Sequence, residues 1–136
     1  MPTARFLGHA CITITDGKHH MIIDPFLTGN SIAAAKQEDI KCNYILLTHG
    51  HGDHFGDTVA IAKRNDATVI ANYELAMLCA RQGLKIHPMN IGGAHNFDFG
   101  RVKFTIAHHG GGFGEEANIY TGPPAGFLIT MGGKTL

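Results

Sequence analysis

The sequence lacks tryptophan, has no net charge at neutral pH, and contains only three cysteines in 136 residues. Balanced charge, with 11 basic and 11 acidic residues, excludes the broad basic face that non-specific nucleic-acid binding requires. Cys11, Cys42 and Cys79 are too widely spaced to indicate a zinc ribbon or a disulfide framework. No apolar run is long enough to span a membrane, and Met1 to Leu7 does not resemble a signal peptide. We therefore expect a cytoplasmic protein that does not act on membranes.

Glycine and histidine are abundant instead, with 18 and 10 residues respectively. Excess glycine indicates many loops and tight turns. Excess histidine indicates metal or proton chemistry. The length and the 44% hydrophobic content predict a single globular domain covering residues 1–136.

The middle of the chain predicts a strand, a helix and a second strand, the pattern of a βαβ unit and an α/β fold. Tyr44 to Leu47 is a short apolar run, typical of a strand buried on both faces. A helix from Thr58 to about Arg64 would begin after Asp57 as its N-cap, and Thr68 to Ile70 would form the next strand. A second helix, from Tyr73 to Arg81, would be capped by Asn72 and ended by Gly83.

The flanking segments favour strands and loops. Alternating or apolar residues predict strands around Ile12–Thr15, Met21–Ile23, Val102–Ile106 and Gly126–Met131, with hairpin turns at Asp16-Gly17 and Gly132-Gly133. A short helical turn is expected at Ala33–Ala35. The glycine-rich stretch Gly110–Gly114 is expected to be a flexible active-site loop rather than an anion cradle, because no clear helix follows it.

Four metal-ligand side chains follow the buried central strand within six residues: His49, His51, Asp53 and His54. Side chains at alternate positions of an extended loop point the same way, so His49 and His51 can bind one ion together. Asp53 and His54 would point elsewhere and serve a second ion nearby. A histidine-rich surface loop is the alternative, but the ordered spacing with intervening glycines favours a metal site.

The segment Thr48-His49-Gly50-His51-Gly52-Asp53-His54 resembles the signature of the metallo-β-lactamase superfamily. More narrowly, the chain resembles its uncharacterised metal-dependent hydrolases, close to the ascorbate-phosphate lactonase branch. The supporting stretches are Gly8-His9-Ala10, Ile23-Asp24-Pro25-Phe26-Leu27-Thr28-Gly29-Asn30, Ile91-Gly92-Gly93 and Pro124-Ala125-Gly126. This resemblance implies an αβ/βα sandwich with two metal ions at one edge.

The resemblance also implies how the ligands divide between the two sites. His49, His51 and His109 would form the first, with His108 at the family's variable position. Asp53 and His54 would contribute to the second. The family's bridging Asp, in a Gly-Asp-Thr stretch, and its last His have no counterpart here. We therefore expect the chain to correspond to the N-terminal part of the fold, with two ions in a complete site and a single ion as the expectation for this chain.

Two further residues have competing interpretations. Asp24 is either an ordinary strand-ending residue or the acceptor for a ligand histidine's second N–H group. His9 is either a surface turn residue or a contact for the substrate near the metals. The other histidines that lack ligand spacing are expected to be surface or core residues; they are His19, His20, His87 and His95.

The function implied by the resemblance is hydrolysis of a small ester, lactone or phosphoester by a metal-activated hydroxide, with Asp53 binding metal and orienting the nucleophile. Zinc is the first expectation, and manganese, iron or nickel would suit the same ligands. An alternative is a metal-binding half-fold that is inactive until a complementary C-terminal segment or another protomer joins it. A superfamily nuclease is a weaker alternative, because basic and aromatic residues are not interleaved.

Overall fold

A computed structural model describes residues 1–136 as three layers, in which helices cover one face of a six-stranded sheet and a four-stranded sheet covers the other. The strands are β1 (Thr3–Gly8), β2 (Cys11–Thr15), β3 (His20–Ile23), β4 (Tyr44–Leu46), β5 (Thr68–Asn72), β6 (Lys85–Met89), β7 (Ala94–Phe97), β8 (Gly100–Ile106), β9 (Gly112–Phe113), β10 (Ile119–Tyr120), β11 (Ala125–Met131) and β12 (Lys134–Thr135). The helices are α1 (Gly52–Phe55), α2 (Thr58–Asn65) and α3 (Tyr73–Arg81), with a 3-10 turn at Gln37–Asp39.

The first sheet has the order β1-β2-β3-β4-β5-β6. Its first three strands are antiparallel, and β3 to β6 are parallel. The predicted βαβ unit is confirmed, because β4 and β5 pair in parallel across α2. The second sheet has the antiparallel order β12-β11-β8-β7, and β9 and β10 form a separate two-stranded ribbon.

Alternation along the central strands divides the apolar side chains between two cores. Ile45 and Leu47 pack with the helices, whereas Leu46 packs with the second sheet. The same alternation holds on β5, where Val69 faces the helices and Ile70 faces the second sheet. This explains why Tyr44 to Leu47 is apolar throughout, since both faces of that strand are buried.

Three local predictions are wrong or hold only in part. Ala33–Ala35 form no helical turn, and the nearest one is the 3-10 turn at Gln37–Asp39. The glycine-rich stretch is not a free loop throughout, because Gly112 and Phe113 pair with Tyr120 and Ile119. The predicted start of α2 is confirmed, because Asp57 occupies the N-cap position before Thr58, but the Asp57 side chain makes no capping hydrogen bond.

The Asp57 carboxylate binds elsewhere, accepting hydrogen bonds from the backbone N–H groups of Leu27 and Thr28 at 3.0 and 2.8 Å. It therefore fixes the loop that follows β3. The backbone of Asp57, with φ of −85° and ψ of 16°, lies outside the extended region that a side-chain N-cap normally adopts. The cap of α3 is confirmed, because Oδ1 of Asn72 accepts from Leu75 N–H at 2.9 Å. No helix is long and apolar enough to cross a membrane.

Candidate metal centre

The predicted ligand residues meet at one edge of the first sheet. Because β1, β3 and β4 run in the same direction, their carboxyl ends lie at that edge and present His9, Asp24 and the segment His49–His51. His109 reaches the same place from the loop after β8. A short helix, α1, carries Asp53 and His54.

Three histidines form the first ligand group. The ligand atoms of His49, His51 and His109 lie within 4.8 Å of one another. Nε2 of His49 is 3.1 Å from Nδ1 of His51, and the ring of His109 is centred 4.7 Å from that of His49. His49 is buried, whereas His109 is exposed. The group is therefore anchored on the buried side and open to solvent on the other.

A second ligand group lies beside the first. His9, Asp53 and His54 also offer atoms within 4.8 Å of one another, and Nε2 of His9 is 3.0 Å from Oδ2 of Asp53. The ring of His54 is centred 4.1 Å from the ring of His49, so the two groups are adjacent. His9 adopts a left-handed backbone conformation, with φ of 56°, that non-glycine residues rarely adopt. The β1–β2 turn thus directs His9 toward α1.

Asp24 connects the two ligand groups from the buried side of the site. Its carboxylate is 1% exposed, and Oδ2 lies 2.8 Å from Nδ1 of His54. The same oxygen accepts the hydroxyl hydrogen bond of Thr48 at 2.5 Å, and the Thr48 oxygen lies 2.8 Å from Nδ1 of His49. When Nδ1 of each histidine donates, its Nε2 lone pair is free for a metal ion. One carboxylate thus orients two histidines, one directly and one through Thr48.

The direction in which the pKa is shifted differs among the candidate ligands. Burial, followed by the neighbouring His54, lowers the pKa of His49 to about 4, so this imidazole is neutral at pH 7 and free to bind metal. Burial acts to lower the pKa of His54 too, but the hydrogen bond and charge of Asp24 outweigh it, and the net direction is upward. For Asp53, burial acts to raise the pKa, and the positive charge of His54 and the contact with His9 outweigh it, so the pKa falls.

The donor set suits a divalent transition ion. Neutral imidazoles together with a carboxylate are the ligands that zinc, manganese, iron and nickel share, and no sulfur donor is present among them. The chain alone brings together all five predicted ligands, His49, His51, Asp53, His54 and His109. Asp24 and His9, for which the sequence allows two interpretations each, both lie in contact with those ligands.

Two residues that the sequence does not predict to act at the site shape it. Thr48 supplies the hydroxyl between Asp24 and His49. Thr121, from the segment after β10, is buried against Gly50, and its hydroxyl has no hydrogen-bond partner. No local pattern identifies Thr121, because it meets Gly50 only through the fold.

A cavity of about 450 Å³ opens beside these side chains. The apolar residues that line it include Ile12, Ile23 and Ala125. Its polar lining includes His49, His54, His109 and Asp24. A small molecule in this cavity would contact the candidate ligands and an apolar surface at once.

Comparison with known proteins identifies the family. A family model described as the metallo-beta-lactamase superfamily matches residues 4–134. The chain is 54% identical over 132 residues to the UPF0173 metal-dependent hydrolase YtkL of Bacillus subtilis, and 53% identical to a UPF0173 metal-dependent hydrolase of Bacillus licheniformis. Each alignment covers 95% of this chain and 58% of the relative.

A solved structure gives the same result. Igni18, a metallo hydrolase from the archaeon Ignicoccus hospitalis, matches with a TM-score of 0.84 and 25% identity, over 100% of this chain and 59% of that one. The chain thus spans a little under three fifths of the length of these relatives. The expected αβ/βα fold is confirmed, and so is the expectation that the chain corresponds to the N-terminal part of that fold. The chain belongs to the metallo-beta-lactamase superfamily.

Proposed function

We propose that the protein is a metal-dependent hydrolase of a small ester, lactone or phosphoester. The observation that carries this proposal is the convergence of two adjacent ligand groups on one open edge, with ligand atoms within 4.8 Å in each. The names of the relatives, which are called metal-dependent hydrolases, support the same reaction class.

The candidate ligands would bind two metal ions. His49, His51 and His109 would hold one ion, and Asp53 and His54 would contribute to a second. When bound by these residues, a divalent ion would supply Lewis acidity and would lower the pKa of water toward neutral. Asp53 would also orient the attacking water by accepting its hydrogen bond, and Asp24 would keep His49 and His54 in the tautomers that face the ions.

The experiment starts with the metal content of protein purified without added metal or chelator, by elemental analysis. Hydrolysis of ester, lactone and phosphodiester substrates is then compared for the wild type, His51→Gln, Asp53→Asn and the control His20→Gln, which changes an exposed histidine on β3. We expect His51→Gln and Asp53→Asn to lose metal and hydrolysis, and His20→Gln to keep both. Undiminished hydrolysis by the first two variants would refute the assignment.

We also propose, as a second candidate, a metal-binding half-fold that works only with a complementary segment or a second copy. The supporting observation is that β1 and β12 are edge strands with one side unpaired, and that Phe6 on β1 is 61% exposed. Such edges favour pairing with another strand. A monomer by size-exclusion chromatography with light scattering that is fully active would exclude this candidate.

The remaining proposals concern the setting of the protein. A cytoplasmic location is consistent with three cysteines that are all buried and unpaired. The proposed partner is a small-molecule substrate rather than nucleic acid, because the chain carries no net charge. Zinc remains the first choice of ion, ahead of manganese, iron and nickel.

A further inference from the structure

Two histidines outside the cluster at the strand ends face each other at the lateral edge of the sandwich. His87 lies on β6, the last strand of the first sheet, and His95 lies on β7, the last strand of the second. Their rings are centred 4.3 Å apart with an interplanar angle of 43°. The two sheets therefore bring together two metal-ligating side chains that are eight residues apart in sequence.

The strand pattern explains why both rings point into the gap between the sheets. Side chains two residues apart on a strand share a face. His87 shares its face with Met89, and His95 shares its face with Phe97; both Met89 and Phe97 pack in the core between the sheets. The pair thus extends that core to its open edge, where His87 is half-buried and His95 is exposed.

The surroundings hold the pair in place. Phe97 packs against both rings, at centroid distances of 4.8 Å from His87 and 4.7 Å from His95. The connection between β6 and β7 is a four-residue turn, residues 90–93, that is fixed to β8 by backbone hydrogen bonds of 2.9 Å between Gly92, Gly93 and Phe104. Little conformational freedom would be lost when the two rings bind a common ligand.

A cavity of about 350 Å³ opens at the pair. His87 and His95 line it together with Asn90. Burial and, to a smaller extent, the neighbouring His95 lower the pKa of His87, which favours its neutral imidazole. Neutral imidazole is the form that binds zinc, copper and nickel.

We propose that His87 and His95 form a separate metal site, distinct from the centre at the strand ends. This lateral site takes a divalent transition ion such as Zn²⁺ or Ni²⁺, and water completes the coordination of the ion. An ion held there would connect the edge strands of the two sheets. Binding to the folded state alone would stabilise the fold. With only two protein ligands, the site is weaker than the three-histidine group.

The test is a titration of the chelator-stripped protein with Zn²⁺ by calorimetry. The wild type should show a tight class of sites and a weaker class. His87→Gln and His95→Gln should each lose the weaker class and keep the tight one, and the control His20→Gln should keep both. His51→Gln should do the reverse, losing tight binding and keeping the weaker class. Failure of the proposed catalytic centre is thereby distinguished from failure of this site.

Two results would overturn the proposal: an unchanged weaker class in both His87→Gln and His95→Gln, or its loss in His51→Gln. A second readout uses no variant in case a substitution disturbs folding. The imidazole nitrogen signals of His87 and His95 are followed in ¹⁵N-labelled wild-type protein. They should shift when Zn²⁺ is added in excess of the amount that fills the tight sites. Unmoved signals would show that the two rings only pack against each other.

Discussion

Oδ2 of Asp24 lies 2.8 Å from Nδ1 of His54, in the floor of the candidate metal centre. Asp24 makes this contact from a left-handed backbone conformation, with φ of 45°, and its other carboxylate oxygen accepts the N–H of Thr48 at 2.8 Å. Such strain in a non-glycine residue is retained where the surroundings over-determine it, and it is concentrated at functional sites.

Substitution of Asp24 by Asn should weaken metal binding while leaving every proposed ligand in place. Oδ2 of Asp24 accepts from the Thr48 hydroxyl and from Nδ1 of His54, and Oδ1 accepts from the Thr48 N–H. An amide presents an N–H donor at one of these two oxygen positions, so at least one of the three hydrogen bonds is lost. Loss of such a supporting acceptor lowers metal affinity by about 10–100-fold. Competition of the protein with a zinc-sensitive dye measures the change.

The control for this prediction is Asp39→Asn, which makes the same change of charge at an exposed position in the 3-10 turn. It should leave zinc affinity unchanged. Equal affinity of the Asp24 variant and the wild type would mean that the carboxylate does not orient the histidines.

Stability in acid should depend on Asp16 in the turn between β2 and β3. The side-chain contact with His19, at 3.0 Å, and bonds from the backbone N–H groups of Lys18 and His19 hold the pKa of Asp16 well below its ordinary value of 3.8. A carboxyl whose pKa is depressed by folding stabilises the protein above the unfolded pKa, and this contribution is lost as the pH falls.

We therefore expect Asp16→Asn to lower the free energy of unfolding at pH 7 and to lose this deficit progressively below pH 3.8. Asn keeps an acceptor for the two backbone amides, so the difference reports mainly the charge. Urea unfolding of both proteins between pH 7 and pH 3 provides the test. A deficit that is the same at both ends of this range would contradict the assigned role of the charge.

Asp57→Ala should destabilise the loop after β3 rather than the helix α2. The substitution removes the acceptor of the Leu27 and Thr28 N–H groups, and an unsatisfied group costs about 1–3 kcal/mol when it is shielded from water. Urea unfolding measures the loss, and hydrogen exchange locates it. Protection should fall first at Leu27 and Thr28; if it falls first within α2, the capping interpretation from the sequence would be restored. Glu115→Ala, at an exposed position, is the control.

The elements that follow from local pattern are those the sequence predicts well. The alternation of Val102, Phe104 and Ile106 predicts β8, and Asn72 predicts the start of α3, because periodicity and capping act within a few residues. The ligand cluster is similarly visible, since His49, His51, Asp53 and His54 are neighbours in the chain.

What the sequence does not reveal depends on contacts between distant segments. Asp57 is a plausible cap by local rules, and only the approach of Leu27 across 30 residues gives its carboxylate a different partner. His87 and His95 lack ligand spacing in the sequence, yet pairing of β6 and β7 with different sheets places their rings together. Thr121 reaches Gly50 in the same way.

The contact between Gly50 and Thr121 gives the sharpest test of the loop that carries His49 and His51. A Cβ atom at Gly50 would lie within 3.0 Å of the carbonyl oxygen of Gly112 and would overlap the hydroxyl of Thr121. Gly50→Ala must therefore displace the loop or the β9 strand. Such overpacking costs about 1–3 kcal/mol.

Gly52→Ala is the matched control, because Gly52 lies two residues away and its added Cβ would meet nothing within 4 Å. Gly52 is the first residue of α1, where Ala is a better helix former than Gly. We expect Gly50→Ala to lose zinc affinity together with stability, and Gly52→Ala to retain both. Zinc titration and urea unfolding of the two variants measure these effects. If Gly50→Ala binds zinc as tightly as Gly52→Ala, the position of this loop does not depend on close approach of Thr121 and Gly112, and the three-histidine group tolerates movement of its central segment.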